Sequence, residues 1–228
     1  MSEWIMLQRD WINMKFKEIN VEEIQKQVDK YDKSAAMCAI NMKENPVTQI
    51  FKEKVEELKS TMPVVTYLRD EALKDRHWEE IFEIIGMKLD LQNDDFTLRS
   101  LIDLNVKKDK DKLGEIALKA NKEQELEDTF KRIQDSWRRC SLEVKPHKDS
   151  YFIIGANEEL MNLLEESMVT LSNILSARFV DNIRSEVEVF YKKMQYMENL
   201  FAEWQVCQKS WMYLENIFNG SDIAKTMG

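Results

Sequence analysis

Apolar positions recur along most of this chain at helical spacing. Between Val21 and Met42 the set Ile24, Val28, Tyr31, Ala35, Cys38 and Met42 steps by 4, 3, 4, 3 and 4, which places one buried stripe on an α-helix. Trp4, Leu7, Trp11, Met14 and Ile19 mark a rougher face before it. Asn45-Pro46 breaks the pattern and opens a new helix, with Asn45 as N-cap and Pro46 at the first helical position. That helix carries Val47, Ile50, Phe51, Val55, Leu58 and Met62. Thr61-Met62-Pro63 reads as a second break, after which Val64, Leu68 and Leu73 lead to Trp78, Ile81, Phe82 and Ile85, with Gly86 as C-cap.

Asp94-Asp95 reads as the N-cap of a short helix through Leu98, Leu101, Ile102 and Leu104. The run Lys107-Lys108-Asp109-Lys110-Asp111-Lys112 reads as a solvated loop, its charges neutralising one another. A long helix is expected from Leu113 to Cys140, its apolar stripe slipping at Glu123-Gln124. Leu142 and Val144 alternate with charged residues before Pro146, and Tyr151-Phe152-Ile153-Ile154 follows, so a short β-hairpin is expected there. Asn157, backed by Glu158 and Glu159, caps a helix bearing Leu160, Leu164, Met168, Leu171 and Leu175. The last helix carries Ile183, Val187, Phe190, Met194, Met197, Phe201, Trp204, Cys207, Trp211, Leu214 and Phe218, in steps of 4 and 3 with an early step of 3 at Cys207. It would span roughly 50 Å. The pattern predicts an all-α fold: an elongated array of long antiparallel helices with one short β-hairpin near 142–154. The expected division is an N-terminal helical part, 1–110, and a long-helix part, 111–228.

Composition narrows the alternatives. Only 5 Gly and 3 Pro in 228 residues leave little material for barrels, sandwiches or doubly wound sheets. With 43% hydrophobic residues the chain can bury a core, which argues against disorder. A net charge of −9, with basic residues mixed among acids, argues against nucleic acid as a partner. No apolar run reaches the roughly 18 residues of a membrane span, and the N-terminus lacks the pattern of a signal peptide. Cys38, Cys140 and Cys207 lie far apart in apolar helical patterns and read as buried, reduced thiols.

Candidate chemistry is sparse. No glycine stands in a phosphate-loop or dinucleotide context. The two histidines, His77 and His147, and the three scattered cysteines do not form a metal-ligand spacing, and His77 with Glu80 on one helix is explained by the abundance of acids. A cysteine–histidine nucleophile pair is not excluded by spacing, but nothing marks any of the three thiols as activated.

Three stretches carry more than periodicity. They are Leu68-Arg69-Asp70-Glu71-Ala72-Leu73-Lys74-Asp75-Arg76-His77-Trp78; Ala120-Asn121-Lys122-Glu123-Gln124-Glu125-Leu126-Glu127 with Ile133 and Trp137; and the run Trp204 to Phe218, containing Gln208, Trp211, Tyr213, Leu214, Glu215 and Ile217, then Ser221-Asp222-Ile223. In order and spacing they resemble the linker region of dynein heavy chains. Phe96-Thr97-Leu98 resembles the axonemal type more than the cytoplasmic one, and Glu165-Glu166 stands where the family usually has two aspartates.

The resemblance implies a non-catalytic mechanical arm that bends across the AAA+ ring of the same heavy chain and couples ATP hydrolysis to movement on microtubules. ATP and magnesium would belong to that ring, so no cofactor is expected in this chain. Intermediate and light chains would be reached through the parent, in the cytoplasm and cytoskeleton and in particular the ciliary axoneme; neither nucleic acid nor a membrane is an expected partner. The chain is expected to be a piece of the linker, with the later linker motif and the ring beyond Gly228. Bending is expected around Lys107–Gly114 and at Glu123-Gln124.

The residues singled out by the resemblance are Arg76, His77, Trp78, Lys122, Glu123, Trp137, Trp204, Gln208, Trp211, Tyr213 and Glu215, as structural or ring-contacting positions. Spacing assigns Trp204 and Trp211 to the core, the alternative being an exposed anchor. It assigns Trp78 to the core, with Arg76 and His77 in local hydrogen bonds, and Met194, Met197 and Met212 to adaptable core filling. Some apolar surface is expected to stand uncovered. Two other classes remain open on the residues alone: a spectrin-like helical scaffold without a motor, and an enzyme on a helical bundle.

Overall fold

The computed structural model describes residues 2–42, 45–88, 96–148 and 151–218, the side chain of Asn216 excepted. Among the described residues, eight α-helices and one β-hairpin form in the order α1 (Ser2–Asn13), α2 (Val21–Asn41), α3 (Pro46–Leu68), α4 (Asp75–Ile85), α5 (Leu98–Asp103), α6 (Lys110–Arg139), β1 (Val144–His147), β2 (Tyr151–Ile154), α7 (Glu158–Ser176) and α8 (Arg184–Phe218). The all-α expectation with a single hairpin holds. The chain divides into two compact units, Met1–Lys122 and Glu123–Gly228, so the division falls inside α6, whose first residue is Lys110.

In the first unit α2 and α3 form a helical hairpin. The predicted stripe of α2 is buried at Ile24, Val28 and Ala35. Asn20 caps α2 by accepting from Glu23 N, and Asn45 caps α3 by accepting from Val47 N at 2.9 Å, with Pro46 at the first position. Trp4 of α1 is fully buried against Trp11, Tyr31 and Phe51. Gly86 closes α4 at φ +76°, a left-handed conformation that glycine adopts without penalty.

Two expected interruptions are absent. Helix α3 runs straight through Pro63, which costs on the order of 3 kcal/mol in a helix interior. Burial offsets it: Leu58, Met62, Val64, Val65 and Leu68 around the proline are all 3% exposed or less, each contributing about 1.5–3 kcal/mol. The Lys107–Lys112 run is not a loop. Val106–Asp109 forms a 3-10 turn anchored by buried Val106, and α6 begins at Lys110. Val106 supplies the apolar anchor that the charges around it conceal. The N-cap expected at Asp94-Asp95 lies outside the described residues; Thr97 stands immediately before α5.

The second unit packs the last part of α6 against α7 and the first half of α8. Its core is Phe130, Leu164, Leu171, Ile174, Val180, Ile183, Val187 and Met194, with Met197 packed on it and Phe130 meeting Phe190 edge to face at 5.6 Å. The strands pair antiparallel, Val144 with Ile154 through His147 with Tyr151. Helix α7 starts where expected, but not by the expected cap. Asn157 sits at φ 50° with no side-chain cap bond, because its amide is committed elsewhere: it accepts from Glu143 N and donates to the carbonyls of Glu143 and Gly155. Asn157 therefore ties the foot of the hairpin to the head of α7.

Helix α8 has 35 residues and α7 has 19, so they measure about 52 and 28 Å. Helix α7 can cover only the first half of α8. From Glu198 to Phe218 the described side chains that are not exposed are Phe201, Gln208, Met212 and Glu215.

Candidate functional site: the clamp between the hairpin and the end of helix α8

Those four positions lie on one face of α8, continuing the buried line of Phe190, Met194 and Met197. The hairpin bonds to two of them, Gln208 and Glu215. Gln208 faces the outer edge of β2. Its Oε1 accepts from Ile154 N at 2.8 Å and its Nε2 donates to Ile154 O at 2.9 Å. Gly155 N donates to Glu143 O, so Ile154 alternates with the ladder-bonded positions and turns its own N–H and C=O away from β1. The amide of Gln208 takes the place of a third strand. Trp204, one turn earlier, donates from its indole nitrogen to the same Oε1 at 3.3 Å.

Two turns further on, Glu215 is 6% exposed and receives the turn of the hairpin. The Lys148 ammonium lies 2.6 Å from one carboxylate oxygen, and Nε2 of His147 lies 3.1 Å from the other. The Tyr151 hydroxyl donates to Glu215 as well. Lys148 takes φ 52°, the left-handed conformation that turns the chain here. These groups hold the Glu215 carboxyl down at about 2, the Lys148 ammonium contributing most, then the Tyr151 hydroxyl and His147, against the opposing effect of burial. The Tyr151 hydroxyl is pushed up, first by its bond to the carboxylate, then by burial and the carboxylate charge; the Trp211 side chain acts in the opposite sense.

The hairpin is laid on α8 by its polar side. Lys145, His147, Tyr151 and Ile153 share one face, since partners alternate across the ladder. Val144, Pro146 and Phe152 share the other, and Phe152 is 72% exposed.

Several sequence assignments change here. Trp204 and Trp211 are not core residues; they are 51% and 53% exposed. The apolar stripe predicted for the end of α8 leaves the covered face, because Phe201, Trp204 and Cys207 follow at two successive steps of three, which turn it back by about 120°. Cys207 is consequently exposed rather than buried, while Cys38 and Cys140 are half-buried. Leu200, Leu214 and Phe218 lie on the same uncovered stripe, and Tyr213 is exposed on another side. Met212 is half-buried on the face of Gln208 and Glu215, while Met194 belongs to the core and Met197 packs on it.

The other singled-out residues are not in the clamp. In the first unit His77, not Trp78, is the fully buried member of the Arg76-His77-Trp78 trio. Its Nδ1 accepts from Lys74 N at 3.0 Å, which fastens the start of α4. Trp78 is partly buried on that core, beside Phe82. Lys122 is exposed, and Glu123, at the slip in the stripe, is buried within continuous α6. Trp137 donates from its indole nitrogen to buried Ser167 at 2.9 Å, joining α6 to α7. Sequence reading missed His147, Lys148, Tyr151 and Ser167 as partners. The available signal was two long polar residues, Gln208 and Glu215, seven apart on the helix face that carries Phe190, Met194 and Met197 further back.

Among the described residues no group of three His, Cys, Asp or Glu could hold a metal ion, and no helix is long and apolar enough to cross a membrane. An open groove of about 940 Å³ at the end of α6 and head of α7 is lined by Arg139, Cys140, Glu143 and Asn157 among others, with no histidine beside the thiol.

Residues 1–228 match the family described as dynein heavy chain, N-terminal region 2. The chain is 32% identical over 195 residues to dynein axonemal heavy chain 6 of Homo sapiens, covering 85% of this chain and 5% of that protein. It is 31% identical over 196 residues to the dynein-1-beta heavy chain of the flagellar inner arm I1 complex of Chlamydomonas reinhardtii, covering 86% and 4%. Against dynein axonemal heavy chain 2 of Homo sapiens it is 31% identical over 143 residues, covering 62% and 3%. The chain thus spans about one-twentieth of the length of these relatives. The match over its full length places it in the family: this chain belongs to the dynein heavy chain, N-terminal region 2.

Proposed function

We propose that this segment is a non-catalytic lever of an axonemal dynein motor. It would lie across the AAA+ ring of the same heavy chain and bend as the ring hydrolyses ATP, so that movement on a microtubule follows. The carrying observation is the match to the heavy-chain region over residues 1–228, in a chain whose own long helices suit the task. Helices α6 and α8, of 30 and 35 residues, extend about 45 and 52 Å. A hydrogen-bonded helix of that length resists stretching and carries displacement along its axis. The names of the relatives, which are axonemal and flagellar heavy chains, support a place in the cilium.

Bending is assigned to the stretch of α6 around Lys122 and Glu123, where the division between the two units falls. Energy-transfer labels, one in each unit of the full heavy chain, test this. A distance that changes between ATP-bound and nucleotide-free motors is expected; a constant one removes the lever reading. Residues 1–228 alone are expected to turn over ATP at background, and turnover that tracks the purified chain would overturn the non-catalytic assignment.

A further inference from the structure

In the half of α8 beyond Phe201 most described side chains are exposed, and the hairpin bonds to it at Gln208 and Glu215. We infer that the hairpin is a strut and that Gln208 and Glu215 are the positioning residues through which it fixes the direction of that half-helix. This inference rests on the lever reading for its functional consequence and on geometry for the strut itself.

The geometry has three parts. The hairpin meets α8 at two separate points, the amide of Gln208 on the edge of β2 and the carboxylate of Glu215 on the turn. Seven residues separate them, about 10 Å along the axis. One point of attachment permits pivoting; two on the same face oppose it.

The foot of the hairpin is closed by Asn157, which brackets Glu143 and Gly155 at the head of α7. Helix α7 is itself packed on the first half of α8 through Leu164, Leu171 and Ile174. The path from α8 through α7, Asn157 and the hairpin back to α8 is therefore a closed triangle, and a triangle holds its angles.

The contacts at both points are also polar and directional. Apolar packing tolerates sliding, whereas a two-bond amide fork and a charge-assisted cluster specify position. An apolar fastening was within reach of the sequence, since Trp204, Trp211 and Leu214 lie on the neighbouring stripe and remain half exposed. The direct ties between helix and hairpin at these two points are instead the polar groups of Gln208 and Glu215.

The test compares the unaltered full-length heavy chain with Gln208→Leu, Glu215→Gln, and the charge exchange Lys148→Glu with Glu215→Lys. Hydrogen exchange of the amides in 202–214 reads the strut. Microtubule gliding speed and microtubule-free ATP turnover read the consequence. Both single variants are expected to speed exchange in 202–214 by about tenfold, leaving exchange in the α7 core within about twofold. Gliding should slow by at least about twofold with ATP turnover unchanged, because a lever that pivots loses displacement and not chemistry. The charge exchange should restore both exchange and gliding above Glu215→Gln, which a simple packing defect would not do. Unchanged exchange in 202–214, or exchange quickened equally throughout the second unit, overturns the strut. Exchange quickened locally with normal gliding keeps the strut and overturns the lever reading on which its consequence depends.

Discussion

The two halves of helix α8 share one continuous backbone and are stabilised by opposite means. From Val187 to Met197 one apolar line, Val187, Phe190, Met194 and Met197, joins the core formed with α6 and α7, with Val187 fully buried. From Trp204 to Phe218 the covered positions are Gln208, Met212 and Glu215, and the large apolar side chains stand half exposed. The first half is held by burial, which is non-directional and scales with area. The second is held by hydrogen bonds and charge, which are short-ranged and specify geometry. A helix can thus be part of a core at one end and an aimed rod at the other.

The comparison predicts a gradient of mutational cost. Replacing Leu171 or Phe130 with alanine empties a cavity under the first half and is expected to cost about 3–5 kcal/mol, read as a lower urea midpoint. A loss under about 1 kcal/mol there would put the core elsewhere.

Replacing Glu215 with alanine strands Lys148, His147 and Tyr151 at the hairpin turn. The expected result is local: hydrogen exchange quickens in β2 and in 202–214 while the urea midpoint moves much less than for Leu171→Ala. A global midpoint shift as large as that of Leu171→Ala would mean that both halves belong to one cooperative core.

Acid should separate the halves without mutation. The Glu215 carboxyl is lowered from 4.5 to about 2 in the folded chain, so its contribution is complete above the unfolded value and is lost as the pH falls through the folded one. The groups around it are Lys148, His147 and Tyr151 from the hairpin. The second half should loosen between about pH 4.5 and pH 2, and Glu215→Gln should abolish that transition as read by tyrosine and tryptophan fluorescence. An identical acid transition in Glu215→Gln would assign it to other carboxylates.

The smallest effect is expected from the most conspicuous residues. Trp211→Ala and Tyr213→Ala remove half-exposed or exposed side chains and should shift stability by less than about 1 kcal/mol. Trp204→Ala adds the loss of one long hydrogen bond to Gln208. A cost of 3 kcal/mol or more for any of them would show that α8 is covered on that stripe after all.

Helical periodicity made most of the elements legible, since a stripe at steps of 3 and 4 has one physical solution in water. Asn45-Pro46 and Gly86 were legible for the same reason: each acts through its own backbone and its nearest turn. Pro63 and the Lys107–Lys112 run were misread because burial of Met62, Val64 and Val106, which local rules do not contain, outweighed propensity. The clamp was half legible. Gln208 and Glu215 stood out by motif, but their partners lie 54 to 68 positions away in the chain, and no spacing rule connects a carboxylate on a helix to the turn of a hairpin.

The sequence by itself determined most local decisions: which long stretches are helical, Pro63 and the Lys107–Lys112 run apart, that a hairpin interrupts them, and that phosphate-loop motifs are missing. The covered side of α2 was legible in its stripe, whereas tertiary structure alone decided which side of the end of α8 is covered. Two steps of three at Phe201, Trp204 and Cys207 moved the apolar stripe away from its neighbours, and the hairpin met the helix with its polar face. Packing partners are chosen by where other elements already stand, and that information resides in the assembled chain, not in any window of it.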